Sequence, residues 1–424
     1  MSYLRRQVVT AALTANAVRP VPGYWAGVPA MVGGWLTSEL APHLLTVTVA
    51  DTVRELVRGG RNRATLGLAG ASTVGLASMI LESQRAKSYV DGALVDALGP
   101  DYRDRLTEKH TDIDLSTPLG QLALPFRLHD DEVEIVRDVV YDPSHGKRGL
   151  LDIYRPLRRA THGAPVLVQV HGGGWSMGSK DAQGIPLMLH MAARGWVCVA
   201  INYRLAPRDR FPAQLVDVKR AIAWVREEGP SYGMDPAFVA ITGGSAGGHL
   251  AALAALTPDD PEYQPGFEDA DTSVQAAVPH YGVYDFAGVT GRRRAEQLRD
   301  RFFGPRVLGK DPRTERGPFE KASPLLRVGP GAPAFFVIHG ASDGLVSVRQ
   351  ARAFVERLRE VSKGVVTYLE LPGTQHAFEV FSSIRSQQVI RAVERWLEWH
   401  RVTRRGATSD QAAGTAAESA SAGG

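Results

Sequence analysis

The chain has 424 residues, 44% hydrophobic and 22% charged, with a formal net charge of +4. That is the balance of an ordinary globular protein, and the length favours one large catalytic unit with an appended region. The mild charge, without a long basic stripe interleaved with aromatics, argues against nucleic-acid binding, and a single cysteine, Cys198, precludes an internal disulfide or thiolate metal site.

Residues 1–130 read as helical and loop-broken, punctuated by Pro20, Pro22 and Gly33-Gly34. Met1 to Arg6 gives a basic start and Ala15-Asn-Ala17 mimics a cleavage site. The run between them is short and interrupted by polar residues, so an ordinary amphipathic helix fits better than a secretion signal. Residues 64–81 carry no charge and would make a helix about 27 Å long. Such a helix can cross a hydrocarbon core. It can equally pack in a soluble hairpin, because Gly67, Ala71 and Gly75 put small residues on one face. With Tyr24, Trp25 and Trp35 beside apolar runs, the region is a candidate cap over an active-site mouth and a candidate membrane-surface contact. A cytoplasmic or membrane-associated protein is expected.

Strand signals follow at 132–141, 150–154, 165–170, 197–203, 238–241, 274–279, 333–339 and 365–371. Helical patterns fall at 186–194, 213–228, 246–256, 348–361 and 383–400. Residues 131–403 therefore predict an α/β domain with an eight-stranded, mostly parallel sheet covered on both faces. Cys198 falls in an apolar run and reads as a small buried hydrophobe. The insert from Gly291-Arg-Arg-Arg294 to Arg301-Phe-Phe303 mixes cations with aromatics, as a lipid-surface contact or a solvated helix face would. Residues 404–424 are Ala/Ser/Gly/Thr-rich without periodicity and read as a disordered tail.

Gly243-Gly-Ser245-Ala-Gly247 stands directly after a strand and before a helix. There a serine can sit on a strained turn with small neighbours, as a nucleophile of the α/β-hydrolase type requires. The pattern alone is weak, since Gly340-Ala-Ser342-Asp-Gly344 matches it too. Context separates them. His171-Gly-Gly-Gly-Trp175 follows the strand at 165–170, where glycines let backbone N–H groups approach a carbonyl oxygen. Asp343 follows the strand at 333–339, and His376 follows the strand at 365–371. Serine, acid and histidine thus occur in the order this fold requires, each at the carboxyl end of a strand. A triad on Ser342 would need Glu356, Glu360 or Glu370, none in a strand-end loop, so Ser342 reads as shaping the Asp343 turn. The other histidines read as structural, with His171 bracing the glycine loop.

At these residues the chain resembles the hormone-sensitive-lipase-like esterases, in particular the actinobacterial lipase/esterase proteins of that group. The matching pieces are the His171–Trp175 loop, Asn202-Tyr-Arg-Leu-Ala-Pro207, Phe211-Pro-Ala-Gln-Leu-Val-Asp217, Gly243-Gly-Ser-Ala-Gly-Gly248, the Asp343 turn and Gly373-Thr-Gln-His-Ala-Phe378. The resemblance spans roughly residues 147–402. It implies an α/β-hydrolase fold and a serine carboxylesterase or lipase for small-molecule or lipid esters, needing no metal or organic cofactor. It also implies an oxyanion hole from the N–H groups of Gly173, Gly174 and Ala246, and an Arg204–Asp217 pair. Two departures stand out. Gly244 occupies the position where the family usually has Asp, and the segment from Gly344 to Val348 lacks a second acid the family often carries. A formamidase or deacetylase on the same triad remains open, because His-Gly-Gly-x-Trp also occurs in loops of formamidase type. A receptor or scaffold reusing the fold is a further alternative, disfavoured by the presence of all three triad members.

Overall fold

The computed structural model describes residues 2–21, 27–106, 119–158 and 163–421, with side chains as far as Arg405. Pro22, Tyr24, Trp25 and the final residues 422–424 lie outside the described residues.

Eight strands form one sheet: β1 (Val133–Val140), β2 (Leu150–Pro156), β3 (Ala164–Val170), β4 (Val197–Ile201), β5 (Met234–Gly244), β6 (Ala276–His280), β7 (Ala334–Gly340) and β8 (Val366–Leu371). Their spatial order is β1-β2-β4-β3-β5-β6-β7-β8. β2 runs antiparallel to both β1 and β4, and the pairs from β4 through β8 are parallel. With helices on both faces, each central strand is apolar along its length, and alternation splits its residues between two cores. Val166, Val168, Val170, Val199 and Ile241 face one core. Leu167, Cys198, Ala200, Ala240 and Ile338 face the other. Cys198 is fully buried, which pushes its thiol pKa up and leaves it an apolar filler.

Among the described residues, four helices of more than ten residues precede β1: α1 (Tyr3–Val18), α2 (Gly27–Glu39), α3 (Ala41–Val57) and the 36-residue α4 (Arg63–Leu98). Asn62 caps α4 by accepting the Thr65 N–H at 3.1 Å, and Gly99 at φ 90° ends it. The window of α4 with mean hydropathy 1.6 is long and apolar enough to cross a membrane. The helix nevertheless buries a stripe from Thr65 and Ala69 through Leu76 to Val90 and Leu94 against the rest of the chain. Its second half joins the same core as α5 (Ile185–Ala193) and the last helix, through Ala86, Val90 and Leu94 against Met188, Val393 and Trp396. The opposite face of the sheet is covered by α6 (Ala213–Glu227), α7 (Ala246–Leu256) and α9 (Val348–Val361).

A buried ion pair, Glu39 with Arg385, ties α2 to the start of the last helix, α10 (Ile384–Ser421), and Ser383 Oγ donates to Glu39 at 2.7 Å. Buried charges persist only when paired in this way. Trp35 adds an aromatic contact to Phe381 at 5.5 Å. Composition predicts a tail from 404, yet the backbone of α10 continues helical to Ser421. Residues 406–421 include six alanines, the strongest helix former, on a helix already nucleated by packing.

Candidate active site

β5 ends at Gly244 and α7 begins at Ala246, leaving Ser245 at φ 60°, ψ −119°. A non-glycine residue rarely holds that conformation, and surrounding structure must enforce it. A Cβ at Gly247 would lie 2.0 Å from the Val170 carbonyl oxygen and one at Gly243 2.5 Å from the same atom, so only glycine lets the turn close. The Ser245 N–H donates to the His280 carbonyl at 3.0 Å. Ser342 lacks the strained φ, and its N–H donates to the Thr374 carbonyl at 3.0 Å, joining the Asp343 turn to the histidine turn.

The structure brings Asp343 and His376 together: Oδ2 lies 2.6 Å from the imidazole Nδ1. Asp343 Oδ1 accepts the Leu345 and Val346 N–H groups, both at 2.8 Å. His339, 3.4 Å from Oδ2, also donates from Nε2 to the Val346 carbonyl at 3.0 Å. Burial alone would raise the Asp343 pKa. The His376 imidazole, followed by the His339 and His376 hydrogen bonds, outweighs it and holds the carboxyl well below the usual range. A carboxylate at Nδ1 keeps the proton there and leaves Nε2 as the basic nitrogen. Among the described residues that nitrogen is buried without a hydrogen-bond partner, and His376 and Ser245 line one cleft. Asp285, the other acid near a strand end, is engaged elsewhere: it accepts the Val289 and Thr290 N–H groups at 3.0 Å and the Thr290 hydroxyl at 2.6 Å.

The loop after β3 forms the opposite wall. Gly173 has φ 113° and Gly174 φ 59°, and a Cβ at Gly173 would lie 2.2 Å from the Met177 carbonyl. Neither N–H donates within the described residues, and that of Ala246, at the first position of α7, has no acceptor in its own helix. His171 braces the loop: Nδ1 meets the Gly172 carbonyl at 2.7 Å, and its ring stacks on Tyr203 at 4.2 Å. Burial lowers the His171 pKa to about 4, so it stays neutral. Trp175 Nε1 donates to His249 Nδ1 at 3.1 Å, anchoring the loop's far end. Arg204 and Asp217 pair at 2.6 Å, and the Arg204 N–H donates to the same carboxylate at 2.7 Å.

The cleft encloses about 870 Å³ and is mostly apolar. Val28 and Met31 of α2 form one wall, with Leu298, Phe302 and Val380 beside them and Arg294, Arg301 and Arg306 also in the lining. The arginine-rich insert, α8 (Arg293–Leu298) and the π-helical turn Arg299–Leu308, therefore builds the cleft. Its two phenylalanines turn toward the cleft and the core, Phe302 half-buried in the lining. Phe303 is buried and stacked on Phe286 at 4.1 Å, because Trp175 and Phe286 provide an aromatic slot for it. Sequence reasoning missed Gln183, Tyr281 and Glu379, whereas Val28 and Met31 fall in the region it expected to cover the mouth. Glu379, three residues past His376, carried a local signal; the others meet only through the fold.

A BD-FAE family model matches residues 151–358. The chain is 42% identical over 407 residues to a probable carboxylic ester hydrolase, LipM, of Mycobacterium tuberculosis, covering 92% of this chain and 91% of that protein. It is 41% identical to esterase LipQ of the same organism, over 86% of this chain and 83% of LipQ. Among solved structures, esterase B from Lactobacillus rhamnosis superposes with a TM-score of 0.56 at 20% identity, covering 66% of this chain and 91% of that one, which shows the α/β-hydrolase fold.

Proposed function

The chain belongs to the carboxylic ester hydrolase family of LipM and LipQ, and from that premise we propose that it cleaves acyl esters through Ser245, His376 and Asp343 by way of an acyl-enzyme. The observation that carries this reading is the 2.6 Å Asp343–His376 contact, with the free Nε2 and Ser245 sharing one cleft. Ser245 Oγ attacks the ester carbonyl carbon as its proton passes to His376 Nε2. Asp343 holds the imidazole orientation and stabilises the imidazolium. The oxyanion that forms takes N–H donors from Gly173, Gly174 and Ala246, each such donor being worth about 2.7–4 kcal/mol in a well-studied hydrolase. The imidazolium returns the proton to the departing alcohol oxygen. Water then attacks the acyl-enzyme with His376 again as base, releasing the acid and restoring Ser245.

The test is labelling by a fluorophosphonate probe, with hydrolysis of p-nitrophenyl esters of rising chain length read in parallel. Ser245→Ala abolishes both, while Ser342→Ala leaves both largely intact; the reverse pattern overturns the assignment. Rates on an N-formyl arylamine and on acetylated substrates separate an esterase from a formamidase or deacetylase on the same triad.

The helices before β1 act as a cap that meets an anionic lipid surface. Two observations support this. Among the described residues, 16 of 23 exposed large hydrophobic side chains lie between Leu4 and Val95. Residues 1–63 hold seven arginines against three acids, so the chain's entire formal +4 resides there. Tyr3–Thr52 and Arg6–Asp51 contacts clamp the start of α1 to the end of α3. That gathers exposed Leu4, Val8, Val53 and Val57 with exposed Arg54 and Arg58, the composition of an interfacial amphipathic surface. The division into cap (1–130), catalytic domain (131–403) and terminal segment (404–424) belongs to the same proposal.

A further inference from the structure

Three buried polar side chains from separate segments meet beside the cleft. Gln183 comes from the loop before α5, Tyr281 from the end of β6, and Glu379 from the turn after His376. Gln183 Nε2 donates to the Tyr281 hydroxyl at 2.8 Å and lies 3.2 Å from Glu379 Oε1. The Tyr281 hydroxyl in turn donates to Glu379 Oε2. The other end of Gln183 faces the glycine loop, where its Oε1 accepts the Gly172 N–H at 2.6 Å. The Tyr281 ring packs on the His376 imidazole, centroids 4.4 Å apart. One buried carboxylate is thereby joined to the glycine loop, the end of β6 and the histidine turn.

Burial raises the Glu379 pKa, and the Tyr281 and Gln183 hydrogen bonds, with His376 nearby, oppose it. An acid withdrawn from water at such cost is retained where both its oxygens are used. Both are used here. The cluster also fixes the residue before Ser245. A Cβ on Gly244 would lie 2.4 Å from Gln183 Nε2 and 2.6 Å from the Tyr281 hydroxyl, so a side chain at 244 and this cluster exclude each other.

We propose that Glu379 is a positioning residue for acyl transfer: by fixing Gln183 and Tyr281 it holds Gly172, and with it the N–H groups of Gly173 and Gly174, in place relative to Ser245 and His376. The inference rests on Ser245 being the nucleophile. A truncated Glu379 frees the Gln183 amide to turn, which releases the Gly172 N–H and lets the loop shift. A displacement on the order of 1 Å at a reacting centre costs about 10²-fold in rate.

The experiment uses the full chain, a short-chain p-nitrophenyl ester and a fluorophosphonate probe to count competent sites, so that misfolded protein is excluded from kcat. Glu379→Ala and Gln183→Ala are each expected to lower kcat per labelled site by about 10²-fold with KM changed less than about threefold. The double variant loses no more than either single one, because both act through one contact. Glu379→Gln, which keeps the volume and one acceptor, restores kcat to within about tenfold of the parent. Where Glu379→Ala yields no folded protein, Tyr281→Phe carries the test and must lower kcat per site about tenfold or more. A kcat per site within about threefold of the parent in the alanine variants, or losses that multiply in the double variant, overturns the proposal. Ser245→Ala keeps the two readings apart: a dead Ser245→Ala beside a fully active Glu379→Ala sinks only this inference, whereas an active Ser245→Ala sinks both.

Discussion

Asp343 uses one oxygen on the Leu345 and Val346 N–H groups and the other on His376, with His339 nearby. An asparagine there keeps the shape but must turn its NH₂ toward one of these donors. If it turns toward His376, the imidazole loses its acceptor at Nδ1 and the tautomer that leaves Nε2 basic. Asp343→Asn should therefore fold, with a melting temperature close to the parent's, while kcat falls about 10⁴-fold, as in a well-characterised triad. Steady-state kinetics beside a thermal melt checks this, and activity within severalfold of the parent moves the acid elsewhere, Asp285 being next in line. The candidates Ser245, Asp343 and His376 could be singled out because each stands in a strand-end loop whose order the chain spells out. His339 was legible only as a structural histidine, since its reach to Asp343 depends on the turn that Ser342 helps to shape. Gln183 and Tyr281 gave no signal: their contacts with each other and with Glu379 span 98 to 196 residues, and only the folded sheet brings the three together.

At the scale of elements, the central strands were readable because each is a short apolar run followed by turn residues. The last helix was readable only to residue 400, since tail-like composition and helix propensity point in opposite directions there. For residues 1–130 the sequence left a membrane span and a packed helix open. The second half of α4 belongs to a core shared with the last helix, and removing it would strip Ala86, Val90 and Leu94 from that core. Lipid contact is therefore better probed on the intact chain than by truncation. Replacing exposed Val8, Val53 and Val57 by Glu adds negative charge where the proposed surface needs apolar and cationic groups. The parent should sediment with vesicles rich in phosphatidylserine and less with neutral vesicles or at high salt. The triple variant should stay in the supernatant while hydrolysing a short, soluble ester at the parent's rate. Equal sedimentation of the two, or none by either, removes the surface from consideration.

Across the whole molecule, three buried histidines and the half-buried His400 tie stability to pH. Burial lowers the pKa of His171 and His280 to about 4, of His249 to about 3, and of His400 to about 4. Their ordinary value is about 6.5, so between there and about 4 the unfolded chain binds protons that the folded chain refuses. Stability is complete above pH 6.5 and is lost as pH falls through that window, at up to about 1.4 kcal/mol per pH unit for each histidine. Carboxylates such as Asp343, held below their usual range, keep their stabilising charge until the pH drops beneath the ordinary carboxylate value. The histidine window and that of these lowered carboxylates are thus separate, and the first lies nearer neutrality. Calorimetry should show the melting temperature falling between pH 6.5 and 4.5, with unfolding near pH 5.5 taking up roughly three to four protons. His400 packs its ring on Trp396 and its Nε2 lacks a partner, so His400→Gln should reduce that uptake by about one proton. A melting temperature flat across this range would mean that these histidines gain their protons in the folded chain. Water or a partner group would then have to reach them where the packing leaves no room.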